Sequence, residues 1–219
     1  MSKFIPITPT SLNTMKTCPK QFEAKYITKE VEFKETPATI WGNEVHKAME
    51  LNLKDNTPLP PTMAFLLPWV ERFKATDGEL YSETKLAVDS HNNPTDWYNR
   101  YLGGIVDVMI VNKEKGTAFI GDLKTGKYKP DETQLTILIK CAFATFPEVT
   151  KINASLFYPH INQVMPMKAR RDTFEPVTLM RDIRNNEAEL EAGTFMPRPN
   201  GLCRQWCDVF SCPHNGRNK

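Results

Sequence analysis

Two aspartates and one lysine lie on the two sides of a predicted β-hairpin, where they could together bind a metal ion and an anion. Asp107 belongs to an apolar run rich in β-branched residues, and Asp122 and Lys124 end a second run of the same kind. A polar stretch at 113–116 separates the two runs and predicts a four-residue turn. With that turn, the two aspartates lie directly opposite each other on one face of the hairpin.

Two carboxylates that face each other on a half-buried sheet repel, and a divalent cation is the simplest way to offset that repulsion. Lys124 follows Asp122 by two residues, so strand alternation places its ammonium on the same face. There it could contact an anionic group held by the metal, and phosphate is the natural candidate. Taken alone, the three residues could also be an ordinary surface ion pair beside a turn.

The residues that flank this group resemble the PD-(D/E)XK nuclease superfamily, specifically its RecB-like branch. The resemblance rests on Gly103-Gly104-x-x-Asp107, on the sequence Gly-Asp-Leu-Lys-Thr-Gly at 121–126, and on Gln134 at the start of a predicted helix. It covers most of the chain, although its motifs are short.

The resemblance implies a restriction-endonuclease-like core and assigns roles to the hairpin residues. Asp107 and Asp122 would bind Mg²⁺ or Mn²⁺, with the Leu123 carbonyl as a further ligand. Lys124 would be the catalytic lysine that orients or activates the attacking water.

The same resemblance assigns roles to His46 and Glu83. RecB-like nucleases carry a metal-binding histidine on an upstream helix, and Gly42-Asn-Glu-Val-His46 fits that arrangement. A neutral imidazole accepts Mn²⁺ more readily than Mg²⁺. Glu83 resembles the acidic residue that many relatives carry on the strand before the hairpin, and its alternative is an exposed strand glutamate.

Gln134 has two interpretations. In the RecB-like enzymes a glutamine at this place faces the active site, so Gln134 is expected to support catalysis. Asp131, three residues earlier, also predicts a capping box in which Gln134 bonds back to the helix start. Relatives usually have a tyrosine four residues later, where this chain has Leu138.

The cysteines give a second signal. Three of the five, Cys203, Cys207 and Cys212, lie within ten residues, which in an intracellular protein is more typical of a metal site than of disulfides. His214 could complete a Cys₃His zinc site, and Cys18 could complete a Cys₄ site for zinc or an iron-sulfur cluster. Spacing alone does not distinguish these sites.

AddB-like nucleases, CRISPR-associated RecB-like nucleases and several phage-encoded exonucleases hold a 4Fe-4S cluster with one cysteine before the core and three after it. Cys18 resembles the first of these. The resemblance thus implies a cluster on Cys18, Cys203, Cys207 and Cys212, with structural zinc as the alternative. The spacing here is Cys-x₃-Cys-x₄-Cys, whereas Cys-x₂-Cys-x₅-Cys is common in that group. Cys141 is interpreted as a core residue.

Composition places few limits on function. The 219 residues with 40% hydrophobic content are enough for one core. A net charge of +2 does not by itself indicate DNA binding, so contacts to DNA are expected from local basic residues. These are Lys124, Lys127, Lys129, Arg170 and Arg171. No signal peptide or long apolar run is present, and a cytoplasmic location in a bacterial, archaeal or phage-infected cell is expected.

The order of elements predicts an α/β (α+β) fold with a central mixed sheet flanked by helices. Helices are predicted from Thr10, at 37–53, 63–73, 131–146 and 174–191, and strands at 79–89, 101–111, 117–124, 151–158 and 163–168. We expect one nuclease domain over 1–219. Its core would span 37–191, and a small metal-cluster lobe would join 8–30 to 192–219.

The function implied by the resemblance is a divalent-metal-dependent DNA exonuclease that hydrolyses phosphodiester bonds in recombination, repair or phage DNA processing. Its partner would be DNA, at single-stranded or duplex ends with single strands favoured, with a recombination or replication protein as a further partner. The first alternative is a catalytically dormant nucleic-acid-binding or adaptor subunit with a structural zinc or iron-sulfur site. The second is a zinc-dependent regulatory domain.

Overall fold

The computed structural model describes residues 5–32 and 34–218. The helices of this part are α1 (Pro9–Thr17), α2 (Pro19–Phe22), α3 (Pro37–Asp55), α4 (Leu67–Ala75), α5 (Glu132–Thr145) and α6 (Val177–Ala192). The strands are β1 (Glu79–Val88), β2 (Leu102–Asn112), β3 (Thr117–Leu123), β4 (Lys151–Tyr158) and β5 (Gln163–Arg170). A π-helical turn follows α2 at Glu23–Ile27, and short 3₁₀ turns lie at Pro61–Leu66, Pro159–Ile161, Gly201–Arg204 and Gly216–Asn218.

The first helix begins two residues earlier than the sequence predicted. Thr8, and not Thr10, is the N-cap, and it forms a capping box with Ser11. Pro9 then occupies the first helical position, where its missing N–H costs nothing and its fixed φ suits the helix. The helix predicted at 63–73 is divided as Pro68 suggested, because a 3₁₀ turn precedes α4 and Pro68 lies in the first turn of α4.

The five strands form one mixed sheet in the order β1-β2-β3-β4-β5. The pairs β1–β2, β2–β3 and β4–β5 are antiparallel, and β3–β4 is parallel. A parallel pair needs a crossover connection, and α5 provides it between β3 and β4. The predicted fold class, a mixed sheet flanked by helices, is confirmed.

The register of the β2–β3 hairpin follows from its short turn. Val111 faces Ala118 and Val108 faces Gly121, as a four-residue turn requires. Asp107 and Asp122 each lie one residue beyond that last pair, towards the open end of the hairpin. The two carboxylates therefore lie where β3 ends and β2 continues.

The chain divides into two compact units. The sheet unit is Glu35–Glu175 and contains all five strands with α3, α4 and α5. Its core includes Val45 and Met49 of α3, Phe73 of α4 and Val108 of β2. Cys141 of α5 is fully buried, which confirms its interpretation as a core residue.

The terminal unit consists of the described residues up to Lys34 together with Pro176 and the residues after it. Helix α6 therefore belongs to this unit. Met15, Phe22 and Phe195 form one small apolar cluster, and Ala24, Val209 and Cys212 form another. In both clusters residues from the two ends of the chain pack together, so the irregular C-terminal segment is held by the N-terminal helices.

Among the described residues, none of the helices combines the length and the apolar character that a membrane span requires.

Candidate metal and hydrolytic site

One group of polar side chains in the sheet unit gathers at the end of β3, and five different elements contribute to it. Helix α3 supplies a histidine, β1 and β2 supply one acid each, the end of β3 supplies an acid and a lysine, and α5 supplies a glutamine. These residues are His46, Glu83, Asp107, Asp122, Lys124 and Gln134.

His46, Glu83 and Asp107 form a compact group of candidate metal ligands. His46 Nδ1 lies 3.2 Å from Asp107 Oδ1 and 3.9 Å from Glu83 Oε1. One ligand atom from each of the three residues lies within 4.8 Å of the others. Ligands about 2.1 Å from one octahedral ion are separated by about 3 to 4 Å. The three donors therefore fit a single divalent cation, and the set of one imidazole and two carboxylates suits Mn²⁺ as well as Mg²⁺.

The backbone of β1 is distorted where Glu83 enters this group. Glu83 has a φ of 50°, in the left-handed region that a glutamate seldom adopts. On either side of it Ser82 pairs with Val108 and Thr84 pairs with Val106. Strained backbone of this kind is often retained where it orients a functional side chain, and here it turns the carboxylate towards His46.

Asp107 is almost fully buried and is fixed from both neighbouring strands. Its Oδ2 accepts a hydrogen bond from the Leu123 N–H at 2.5 Å, and its carbonyl oxygen accepts one from Ser82 Oγ at 3.2 Å. Leu123 thus contacts the group through its N–H, and the expected role of its carbonyl as a metal ligand stays a prediction. Because one oxygen of Asp107 is held by the backbone, the other is left facing His46.

Asp122, Lys124 and Gln134 form a connected polar chain beside the metal-ligand group. Lys124 Nζ lies 2.6 Å from Asp122 Oδ2 and donates to Gln134 Oε1 at 2.7 Å. Gln134 Nε2 donates in turn to Asp122 Oδ1. Asp131 does cap the helix by accepting from the Gln134 N–H at 3.4 Å, but the Gln134 side chain reaches the site. The lysine ammonium is therefore positioned by two acceptors.

The electrostatics of the group favour an added positive charge. Burial and the nearby Asp107 carboxylate raise the pKa of Asp122 to about 7, against the opposing effects of Lys124 and His46. Burial disfavours the protonated imidazole of His46, but hydrogen bonds to Asp107 and Glu83 outweigh it and raise the pKa of His46 to about 10. Both changes have one cause, an excess of carboxylates in a poorly solvated place.

A second cluster lies in the terminal unit, where Cys18, Cys203, Cys207 and Cys212 line one small cavity together with His214. All four are free thiols. Burial raises the pKa of Cys207, and the nearness of the other three sulfurs adds to that rise. The structure thus brings together four cysteines whose sequence positions span almost the whole chain.

Backbone groups also contact these sulfurs. In the described part of the chain, no three of the four sulfurs lie within 4.8 Å of one another. Two sulfurs accept backbone N–H groups at 3.4 Å, Cys18 from Arg198 and Cys203 from Asn200.

The basic residues that were expected to contact DNA have different surroundings. Lys127 and Lys129 are exposed on the segment that follows Lys124. Arg170 instead pairs with Asp172 at 3.0 Å. Arg171 stacks on the Phe143 ring at 4.8 Å and donates to backbone carbonyls at the end of α5 and beyond it. Those carbonyls belong to Phe143, Phe146 and Val149. Arg171 is therefore a structural residue.

Comparison with known proteins agrees with this geometry. A family model described as the PD-(D/E)XK nuclease superfamily matches residues 6–213. Among solved structures, the chain is similar to a protein named SSO0001, with a TM-score of 0.52 and 17% identity over 98% of this chain and 89% of that one.

It is also similar to a "putative exonuclease" from Eubacterium rectale, with a TM-score of 0.54 and 10% identity over 92% of this chain and 86% of that one. At these identities the two likenesses establish the fold. A search of the curated proteins gave no match.

Proposed function

This chain belongs to the PD-(D/E)XK nuclease superfamily, and from that premise we propose that it is a divalent-metal-dependent DNA exonuclease. The observation that supports the proposal is that two groups of side chains lie next to each other at the end of β3. One is a three-residue set of metal ligands, and the other is a lysine held by Asp122 and Gln134. The name of the Eubacterium rectale protein agrees with exonuclease action.

His46, Glu83 and Asp107 would hold Mg²⁺ or Mn²⁺, and Asp122 lies close enough to Asp107 to share the charge of the ion. When bound, such an ion polarises a phosphodiester and makes a water molecule more acidic. The ligand set includes Glu83, which the sequence had assigned only a supporting catalytic role. Asp122, whose two oxygens contact Lys124 and Gln134, would be a further ligand beside the three-residue set.

Lys124 would stabilise the negative charge that develops on the phosphate during hydrolysis. The Lys124 side chain is 31% exposed, so an incoming phosphate can meet the ammonium while it stays on Asp122 and Gln134. Gln134 acts through this contact: it holds the ammonium and the carboxylate at fixed places and does not itself react. His46, Asp107, Asp122 and Lys124 are thus all present and in contact, which weighs against a dormant binding subunit.

The proposal is tested with end-labelled single-stranded, duplex and circular DNA in Mg²⁺, Mn²⁺ or EDTA. We expect degradation of linear DNA, fastest for single strands, and survival of circles. Asp107→Asn should abolish the degradation of linear DNA. The matched control is Asp77→Asn, an exposed acid before β1 that pairs with Lys115. Equal degradation by the wild type and Asp107→Asn, or none by the wild type in any metal, contradicts the assignment.

We further propose that the chain is of the RecB-like branch and that Cys18, Cys203, Cys207 and Cys212 hold a 4Fe-4S cluster. The four cysteines line one cavity, and backbone N–H groups point at two of the sulfurs, as they do in many iron-sulfur sites. The function of the cluster would be to join the two ends of the chain within the terminal unit.

Iron and acid-labile sulfide in protein purified without air test this second proposal. Cys18→Ser should lose both, whereas Cys141→Ser, which changes the buried thiol of α5, should retain them. Stoichiometric zinc with no sulfide would contradict the cluster and leave the nuclease proposal standing.

A further inference from the structure

The β1–β2 hairpin continues well past the catalytic group. Strand β3 pairs with β2 only at 108–112, whereas β1 and β2 remain paired as far as Val88 and Leu102. We call the hairpin segment 84–106, with its connecting loop, the arm. The arm therefore extends beyond the carboxylates by about five residue pairs, or about 17 Å at 3.4 Å per residue.

One face of the arm is continuous with the metal-ligand group. Strand alternation puts Ile105 and Gly103 on the same face as Asp107, and Lys85 lies opposite Ile105 on β1. Lys85 and Ile105 are both exposed, the latter by 38%. An open strip with a cation and an apolar side chain thus begins two residues, or about 7 Å along the strand, from Asp107.

The arm loop covers the far end of this strip with aromatic residues. A Cβ placed on Gly103 would lie 3.3 Å from the Trp97 ring, so the tryptophan rests on the glycine. Lys85 Nζ lies 5.6 Å from the centroid of that ring, and Arg100 stacks on it at 3.9 Å. Trp97 therefore holds two cations at the strip.

Tyr98, the next residue, projects into solvent with 89% of its surface exposed. The loop that carries it is held by hydrogen bonds of its own. Asp96 Oδ1 accepts the Tyr98 N–H at 2.8 Å and the Asn99 N–H at 3.1 Å, and the Tyr101 N–H donates to the Val88 carbonyl at 2.8 Å. An exposed aromatic ring on a loop with such internal hydrogen bonds loses little entropy when it binds a ligand.

We propose that this face of the arm is the track along which a single DNA strand reaches the catalytic group. The inference rests on the proposed nuclease function and extends it to the substrate. Lys85 contacts a backbone phosphate next to the one being cleaved, and Tyr98 stacks on a base further along the strand. Cations that follow the backbone and aromatic rings that accept base faces are the two elements of single-strand binding, and a duplex offers no open base faces to Tyr98.

The first test is binding of a fluorescent oligothymidylate in EDTA, measured by anisotropy. Tyr98→Ala should weaken binding about tenfold, and Tyr98→Phe, which keeps the ring, should bind as the wild type does. Lys85→Gln should weaken binding and reduce its salt dependence by about one phosphate contact. The matched control is Lys113→Gln, at the β2–β3 turn on the opposite end of the hairpin, which should change neither.

The second test separates the track from the catalytic group. Bis(p-nitrophenyl) phosphate is a diester too small to reach the arm loop. The ratio of oligonucleotide to small-diester hydrolysis should therefore fall about tenfold in Tyr98→Ala. If the wild type cleaves single strands and Tyr98→Ala matches it in both assays, the proposed track is refuted and the proposed nuclease function is retained. Equal weakening for blunt duplex DNA also refutes a single-strand track. If the wild type neither binds nor cleaves DNA, both proposals fail.

Discussion

Replacement of Asp122 by asparagine should stabilise the protein while it removes activity. Asp122 is buried, and its pKa rises from the ordinary 3.8 to about 7. At about 1.4 kcal/mol per pKa unit, its ionised form destabilises the metal-free fold by about 4 kcal/mol above pH 7. Asparagine keeps an oxygen for Gln134 Nε2 but loses the ion pair with Lys124, which is partly exposed and contributes less. We expect the free energy of unfolding of Asp122→Asn to exceed that of the wild type by about 1–3 kcal/mol above pH 7.

The gain has a definite pH dependence. Because the folded pKa of Asp122 lies above its unfolded value, the wild type binds more protons when folded, and its stability falls as the pH rises from about 4 to about 7. Asparagine does not titrate, so the two proteins should be closest near pH 4 and furthest apart at pH 7 and above. Added Mn²⁺ should stabilise the wild type much more than the variant, since the ion offsets the same charge.

The assay is thermal unfolding in EDTA at pH 4.5, 6 and 8, with DNA hydrolysis measured in parallel. For a chain of this size the gain corresponds to an increase in midpoint of about 3–10 °C at pH 8. Asp77→Asn, at a fully exposed acid, is the control and should not show an increase that grows with pH. A midpoint for Asp122→Asn below that of the wild type at pH 8, or a difference that is the same at every pH, would refute the reasoning.

Three further predictions follow from other contacts. Gln134→Ala removes the acceptor at 2.7 Å from Lys124 Nζ and should lower kcat about 10- to 100-fold with a smaller change in KM, measured by steady-state hydrolysis of an oligonucleotide. Arg171→Ala should lower the unfolding midpoint by about 4–8 °C, because three carbonyls lose a charged donor, whereas Arg170→Ala should have little effect in the same melt. His46→Ala should lower hydrolysis more in Mn²⁺ than in Mg²⁺, since imidazole favours Mn²⁺; an equal loss in both metals would contradict its place among the ligands.

The register of the β2–β3 hairpin was predicted correctly from the sequence because its turn is short, although the strand bounds differ by one residue. Four polar residues leave almost no freedom of register, and alternation then fixes which side chains share a face with Asp107. The first helix cap was wrong by two residues because Thr8 and Thr10 are equally good caps by residue type. Pro9 decides between them, since proline is favoured at the first helical position.

The cysteine cluster could not be derived from spacing. Cys18 and Cys203 are separated by most of the chain, and no periodicity in the sequence brings them together. Only the resemblance to a family assigned Cys18 and Cys203 to one cluster, and in the structure both line one cavity. The apolar contacts that achieve this, such as Met15 and Phe22 with Phe195, are ordinary core contacts that carry no local signal.

Glu83 was named from the sequence only by resemblance, and its position beside Asp107 and His46 could not be derived from the sequence. A glutamate on a strand is placed opposite Asp107 only if the β1–β2 register is known, and the loop at 89–101 is too long to fix it. The register comes instead from contacts inside the arm, such as Trp97 resting on Gly103, and these depend on the tertiary structure. The same contacts that bring Glu83 to His46 also set Tyr98 at the far end of the strip. A loop deletion that shifts this register by one residue should therefore impair metal binding and single-strand binding together, although the two groups lie at opposite ends of the arm.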